Sequence, residues 1–178
     1  MKKRSDLYEV FLQHAKPVSY QKRESILREG EHCNCVYLIE QGFVRSWFND
    51  DGNDITFQFF FPGDIVTSFE SMKMHLPSLY NIESISAVTL KRLTESELKL
   101  ILKDSPDLNA VITDYLTDRL YRYQKLFISR IKNSPQRRYE ELLEHSPEIF
   151  NEIPHHYIAS YLGITPVSLS RIKNKHPL

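Results

Sequence analysis

Hydrophobic positions change their period twice along the chain and divide it into three zones. Leu7, Val10, Phe11 and Ala15 recur at helical spacing and predict a short helix over about 6–15. From about Val18 to Leu93 the period shortens. Runs rich in β-branched and aromatic residues (35–40, 43–48, 55–61 and 80–93) predict strands there. Glu29-Gly30-Glu31, Gln41-Gly42, Asn49-Asp50-Asp51-Gly52-Asn53 and Pro62-Gly63-Asp64 are the turns between such segments. Many short strands over glycine-bearing turns predict a sandwich, roll or barrel.

The third zone is helical. Thr94-Glu95-Ser96-Glu97 reads as a capping box, the Thr94 hydroxyl accepting from the Glu97 N–H, with a helix to about Lys103. Ser105-Pro106 opens a long helix to about Asn133. Leu108, Ile112, Tyr115, Leu116, Leu120, Tyr123, Phe127 and Ile131 recur along one side of it at spacings of three and four. A seam of that length suits pairing with a second helix; packing on the β-zone alone is the other reading. Ser134-Pro135 restarts a helix that ends near Glu144, before Ser146-Pro147.

The most specific pattern lies between His155 and Lys175. Two helices crossing steeply over a tight turn need a small residue at the crossing and a turn residue tolerant of positive φ. Ala159 and Gly163 supply them at a spacing of four. Ile158, Leu162, Ile164, Leu169 and Ile172 take the anchoring positions, and Pro154 and Thr165-Pro166 mark the two helix starts. This predicts a helix-turn-helix, with an ordinary helical hairpin as the bland alternative. In a helix-turn-helix the second helix enters the major groove. Its outward residues are Val167, Ser168, Ser170, Arg171, Asn174 and Lys175. The planar fork of Arg171 suits the two guanine acceptors. Ser168, Ser170, Lys173 and Lys175 suit phosphate, as does His155 at the start of the first helix.

Charge sharpens this picture only locally. The 178 residues carry no net charge, yet from Thr165 onward Arg171, Lys173 and Lys175 stand without an acidic residue. Cys33 and Cys35 are the only cysteines, read as ordinary thiols of a reducing compartment. The longest apolar stretch, near Phe57–Pro62, is broken by Gln58 and far too short to span a bilayer, so a cytoplasmic protein is expected.

Two blocks together resemble the cyclic-AMP-receptor and fumarate-nitrate-regulator (Crp/Fnr) family of transcription factors. One is Ile26-Leu27-Arg28-Glu29-Gly30-Glu31, Val36 to Arg45, and Phe61-Pro62-Gly63-Asp64; the other is the helix-turn-helix. The resemblance implies an α+β chain. It would have an N-terminal double-stranded β-helix (a cyclic-nucleotide-binding-like jelly roll), a long dimerisation helix over about 106–132, and a small all-α DNA-binding domain. The sensor with its dimerisation helix would cover 1–133 and the helix-turn-helix domain 134–178. It implies a bacterial homodimer bound to double-stranded DNA, with Ile112, Leu116, Leu120, Tyr123 and Phe127 at the dimer seam, and it admits RNA polymerase as a further partner.

Three departures qualify the resemblance. Cyclic-nucleotide binders carry a Gly-Glu pair and an arginine after the Pro-Gly-Asp turn. Here no arginine lies between Phe48 and Leu90, so cyclic AMP is not expected and no cofactor is predicted. The N-terminal cysteine cluster of the iron–sulfur branch is also missing. Pro166 and Val167 stand where the family usually presents base readers, although Arg171 matches a family arginine. The sequence ends just after the second helix, like the short members without a β-hairpin wing. An unknown small effector would lie between the 63–69 turn and the long helix, near Gly63, Phe69, Tyr80, Asn81, Tyr121, Tyr123 and Lys125. Two other functions stay open. One is a ligand-binding or protein-interaction module whose helix-turn-helix does not read DNA. The other is a cupin-like enzyme, disfavoured because His32 and His75 are the roll region's histidines and no His-x-His occurs; a metal site is not predicted.

Overall fold

A computed structural model describes residues 2–175. In chain order its elements are α1 (Lys2–His14), β1 (Lys16–Tyr20), β2 (Ser25–Leu27), β3 (Cys35–Gln41), β4 (Val44–Asp50), β5 (Asn53–Phe60), β6 (Ile65–Val66), α2 (Phe69–Met74), β7 (Asn81–Ser84), β8 (Val88–Thr94), α3 (Glu95–Asp104), α4 (Asp107–Lys132), α5 (Pro135–His145), α6 (Ile149–Glu152), α7 (His155–Leu162) and α8 (Pro166–Lys175). Two four-stranded sheets, ordered β1-β8-β3-β6 and β2-β7-β4-β5, make the jelly roll expected of the β-rich zone.

The described residues form two compact units. Among residues 2–175, one comprises 2–48 and 59–118, the other 49–58 and 119–175. In the first, β3 and β8 run antiparallel, Val36 opposite Leu93 and Leu38 opposite Lys91. Leu38, Ile39, Val44, Val66, Leu90 and Leu93 from the strands are almost fully buried, and Phe11 of α1 joins them. Burial of such aliphatic side chains is the main favourable term, about 1.5–3 kcal/mol each. The β3–β4 turn needs Gly42, which has φ 83°; a Cβ there would stand 2.3 Å from the Ala87 carbonyl oxygen. The run 80–93, read from sequence as one strand, is two. Ile85 to Ala87 turn away, the Ile85 N–H donating to the Phe43 carbonyl at 2.7 Å and the Phe43 N–H to Ser86 Oγ at 3.1 Å.

Helix starts follow their caps. Glu97 N–H donates to Thr94 Oγ1 at 3.2 Å, and Thr94 N–H donates to Glu97 Oε2 at 2.8 Å, a complete capping box. These bonds hold the Glu97 carboxyl below its usual range. Ser134 caps α5 through the Arg137 N–H at 3.3 Å. Cys33 and Cys35 are buried free thiols, and burial pushes the Cys35 thiol up.

In the second unit the tip of the β4–β5 hairpin meets helices distant in sequence. The Thr56 N–H donates to Ser160 Oγ at 2.8 Å, and that hydroxyl donates to the Asp54 carbonyl at 2.9 Å. At the foot of the hairpin the Tyr123 hydroxyl bonds Gln58 Oε1. No helix of the described residues is long and apolar enough to cross a membrane.

Candidate nucleic-acid interface

The C-terminal helices rest on a compact apolar base. Tyr139, Ile149, Phe150 and Ile153 are buried, and the Tyr139 and Phe150 rings meet edge to face at 5.0 Å. Against it α7 turns Tyr157, Ile158, Ala159 and Leu162, all buried, and α8 inserts Leu169. Ile158, Leu162 and Leu169 therefore hold the anchoring positions read from sequence, while Ile164 and Ile172 are half-buried. Tyr157 is a further anchor that the sequence reading missed; its place beside two histidines hid the apolar face.

The turn is built as its glycine demands. Gly163 sits at φ 67° and ψ 38°, the left-handed conformation that ends α7. Its N–H donates to the Ser160 carbonyl at 2.9 Å, and Ile164 N–H donates to the Ala159 carbonyl at 3.0 Å. Two residues on, Thr165 caps α8, its hydroxyl oxygen accepting from Ser168 N–H at 3.1 Å.

The outer face of α8 is open. Val167, Ser170, Arg171, Asn174 and Lys175 are exposed, and Val167 keeps 60% of its surface. Ser168 and Lys173 are half-buried and already engaged. Ser168 Oγ lies 3.0 Å from Thr165 Oγ1, and Lys173 Nζ lies 3.4 Å from His155 Nε2. His155 and Lys173 thus form one basic corner where the first turn of α7 meets the last turn of α8.

Arginines from α4 and α5 reach the end of α7. Arg138 donates from Nε and Nη2 to the Leu162 carbonyl at 3.0 and 2.8 Å, and from Nη1 to the Asn133 carbonyl at 2.7 Å. Arg130 donates to the Tyr161 carbonyl, and burial pulls its pKa down. At the α4–α5 elbow, Glu141 accepts from Ser129 Oγ at 2.6 Å and from Asn133 Nδ2 at 2.7 Å. Chiefly the Ser129 bond keeps its carboxyl below the usual range.

None of the 26 residues of α4 is buried. Leu108, Val111, Ile112 and Tyr115 are half-buried against the roll's core. Of the seam residues, Ile112 and Leu116 are half-buried, while Leu120, Tyr123 and Phe127 are 59%, 37% and 67% exposed. Ile128 and Ile131 extend this apolar stretch.

The residues proposed for an effector divide between the units. In the first, Gly63 lines an open cavity of about 500 Å³ with Leu7, Leu38, Pro62 and Ile65. Phe69 is exposed on α2, a helix the sequence reading did not predict. Asn81 accepts from Glu29 N–H at 3.0 Å, which makes it a brace of the strand. The stretch after the Pro-Gly-Asp turn is closed by its own groups. Ser68 Oγ donates to Glu70 Oε1 at 2.7 Å, and the Tyr80 hydroxyl reaches Glu70 Oε2 and the Thr67 carbonyl, both at 3.4 Å. The roll's buried arginine is Arg45 on β4, ion-paired to Glu83 at 3.1 Å and stacked over Trp47 at 4.7 Å. In the second unit, Tyr121 is exposed with Lys125 Nζ 5.9 Å from its ring centre, and Tyr123 holds Gln58.

Residues 17–105, half of the chain, match the family described as cyclic nucleotide-binding domain. No curated protein matches the chain. Among solved structures, FixK2 from Bradyrhizobium japonicum aligns with a TM-score of 0.78 at 20% identity, over 90% of this chain and 83% of its own. The c-di-GMP responsive global regulator CLP of Xanthomonas campestris aligns with a TM-score of 0.75 at 16% identity, over 96% and 90%. A CooA mutant from Carboxydothermus hydrogenoformans gives 0.72 at 18% identity, over 92% and 77%. The protein therefore belongs to the cyclic nucleotide-binding domain family, and its fold is that of the Crp/Fnr-type chains.

Proposed function

We propose that this protein is a transcription regulator that binds double-stranded DNA as a homodimer, with residues 134–178 as the reading domain and 1–133 as the sensor. The observation that carries the reading is the outer face of α8. It is exposed, it bears Arg171 and Lys175 on a helix that carries no acidic residue, and it stands on a turn built on Gly163. Arg171 is assigned to a base edge, since its fork can donate to both guanine acceptors. Exposed Val167 suits a thymine methyl. Ser168, Ser170, Lys173, Asn174, Lys175 and His155 position the helix on phosphate and neighbouring bases. Leu120 and Phe127, exposed on α4, supply the apolar surface that a second copy would cover, placing two reading helices about one turn of DNA apart. RNA polymerase, as a partner, rests on the family resemblance alone.

The roll is assigned no cyclic AMP. In the stretch where family members bind the cyclic phosphate, the Glu70 carboxylate takes the Ser68 and Tyr80 hydroxyls, and no arginine is present. A phosphate placed there would meet a like charge and no compensating fork. The test of the reading is fluorescence anisotropy on a selected DNA site at several salt concentrations. Arg171→Ala should weaken the preferred site by about 1–3 kcal/mol and relax its preference. Lys175→Ala should weaken all DNA alike and flatten the salt slope. Binding indifferent to salt and to Arg171 would favour instead a protein-contact role for the exposed Val167 face.

A further inference from the structure

We propose that Arg138, assisted by Arg130, is a positioning residue for DNA reading: the two guanidinium groups cap the C-terminus of α7 and fix the turn from which α8 departs. The functional consequence rests on the regulator reading above. The structural part stands without it.

The last carbonyls of any helix lack intrahelical partners. In α7 the turn itself satisfies two, through Gly163 N–H to the Ser160 carbonyl and Ile164 N–H to the Ala159 carbonyl. Those of Tyr161 and Leu162 are met by Arg130 and by two bonds from Arg138. A positive group at a helix C-terminus also opposes the negative end of the helix dipole. The third Arg138 bond goes to the Asn133 carbonyl, just past the end of α4. One planar group carried on α5 thereby ties the end of α4 to the end of α7. A lysine ammonium, a point charge on a flexible stem, cannot reproduce that fork.

The clasp lies close to the reading helix. The nearest atom to a Cβ built on Gly163 is Arg138 Nη2, at 3.8 Å, and α8 begins at Pro166. At 1.5 Å rise per residue the 10 residues of α8 extend about 15 Å, so a tilt of roughly 10° at the turn would move its far end by about 2.6 Å. Base-edge hydrogen bonds tolerate only a few tenths of an ångström. Phosphate contacts by flexible lysines absorb such a shift. Loosening the clasp should therefore cost selectivity before it costs general DNA affinity.

The experiment compares full-length wild type, Arg138→Lys and Arg138→Gln by two readouts. Hydrogen exchange of the Gly163 and Ile164 amides is measured without DNA. Affinity is then measured on a selected site and on its scrambled counterpart. Both variants should speed the exchange and lower affinity for the selected site roughly tenfold, the scale of one charge-assisted hydrogen bond. Scrambled DNA should change by no more than about twofold, because the lysine contacts remain. Full selectivity in Arg138→Lys would overturn the proposal, since charge without the fork would then suffice; wild-type exchange and selectivity in Arg138→Gln would also overturn it. If Arg138→Gln fails to fold, Arg130→Gln, which removes the bond to the Tyr161 carbonyl, carries the same comparison. A wild type without selectivity would sink the regulator reading, and the amide exchange would still decide the clasp.

Discussion

Replacing Gly163 by alanine isolates what the turn asks of the backbone. Gly163 holds φ 67° and ψ 38°, and a Cβ added there would find its nearest neighbour at 3.8 Å, an ordinary contact. Crowding therefore contributes nothing. The cost is that of the left-handed region itself, about 1–2 kcal/mol for an L-residue. Gly163→Asn should cost less, because asparagine tolerates this conformation through local hydrogen bonds. Gly42→Ala is the contrast. It combines φ 83° with a Cβ placed 2.3 Å from the Ala87 carbonyl oxygen, so strain and clash add and the loss should exceed about 2 kcal/mol. Urea titrations of the three variants, followed by far-UV circular dichroism and by the fluorescence of the single tryptophan, Trp47 on β4, measure these costs. The expected order of damage is Gly42→Ala, then Gly163→Ala, then Gly163→Asn. A Gly163→Ala protein as stable as wild type, or as damaged as Gly42→Ala, would refute the reasoning.

Other perturbations address separate parts of the account. Leu120→Glu or Phe127→Glu, at sites 59% and 67% exposed, should leave the fold intact by circular dichroism and yield monomers in sedimentation. Dimers that persist in both would move the interface elsewhere. Glu141 stabilises the α4–α5 elbow while ionised, and its folded pKa lies below the ordinary 4.5. Its contribution is thus complete above 4.5 and vanishes as pH falls through the folded value. Glu141→Gln should be less stable than wild type at neutral pH and approach it in acid, as read from urea midpoints; a constant gap across that range would contradict this. Calorimetric titration with cyclic AMP should give no saturable heat, and a stoichiometric isotherm would reverse the assignment made for the roll.

The helix-turn-helix was legible because its requirements are local. Ala159, Gly163, Thr165 and Pro166 stand within eight residues, and each is dictated by one backbone or packing demand. The same holds for the Thr94–Glu97 capping box. Elements lacking such punctuation were missed. The break between β7 and β8 falls at Ile85-Ser86-Ala87, with no glycine or proline to mark it, and α2 starts at Phe69 with no side-chain cap from Ser68. Strands as short as Ser25–Leu27 and Ile65–Val66 are too brief to show a period. Features made by distant partners were invisible: the Arg138 bonds to Leu162 join residues 24 positions apart, and the Ser160 bonds to the hairpin tip join residues 104 and 106 positions apart. In the sequence Arg138 is merely one basic residue beside Arg137 on an amphipathic helix.

Selective DNA binding is the central functional claim. The most direct test is to select fragments of the source genome with purified full-length protein and footprint the winners. Near-palindromic sites with two protected half-sites about one helical turn apart, lost on scrambling, are the expected result. Fragments recovered without a common sequence, and bound no better than scrambled DNA at any salt concentration, would contradict it.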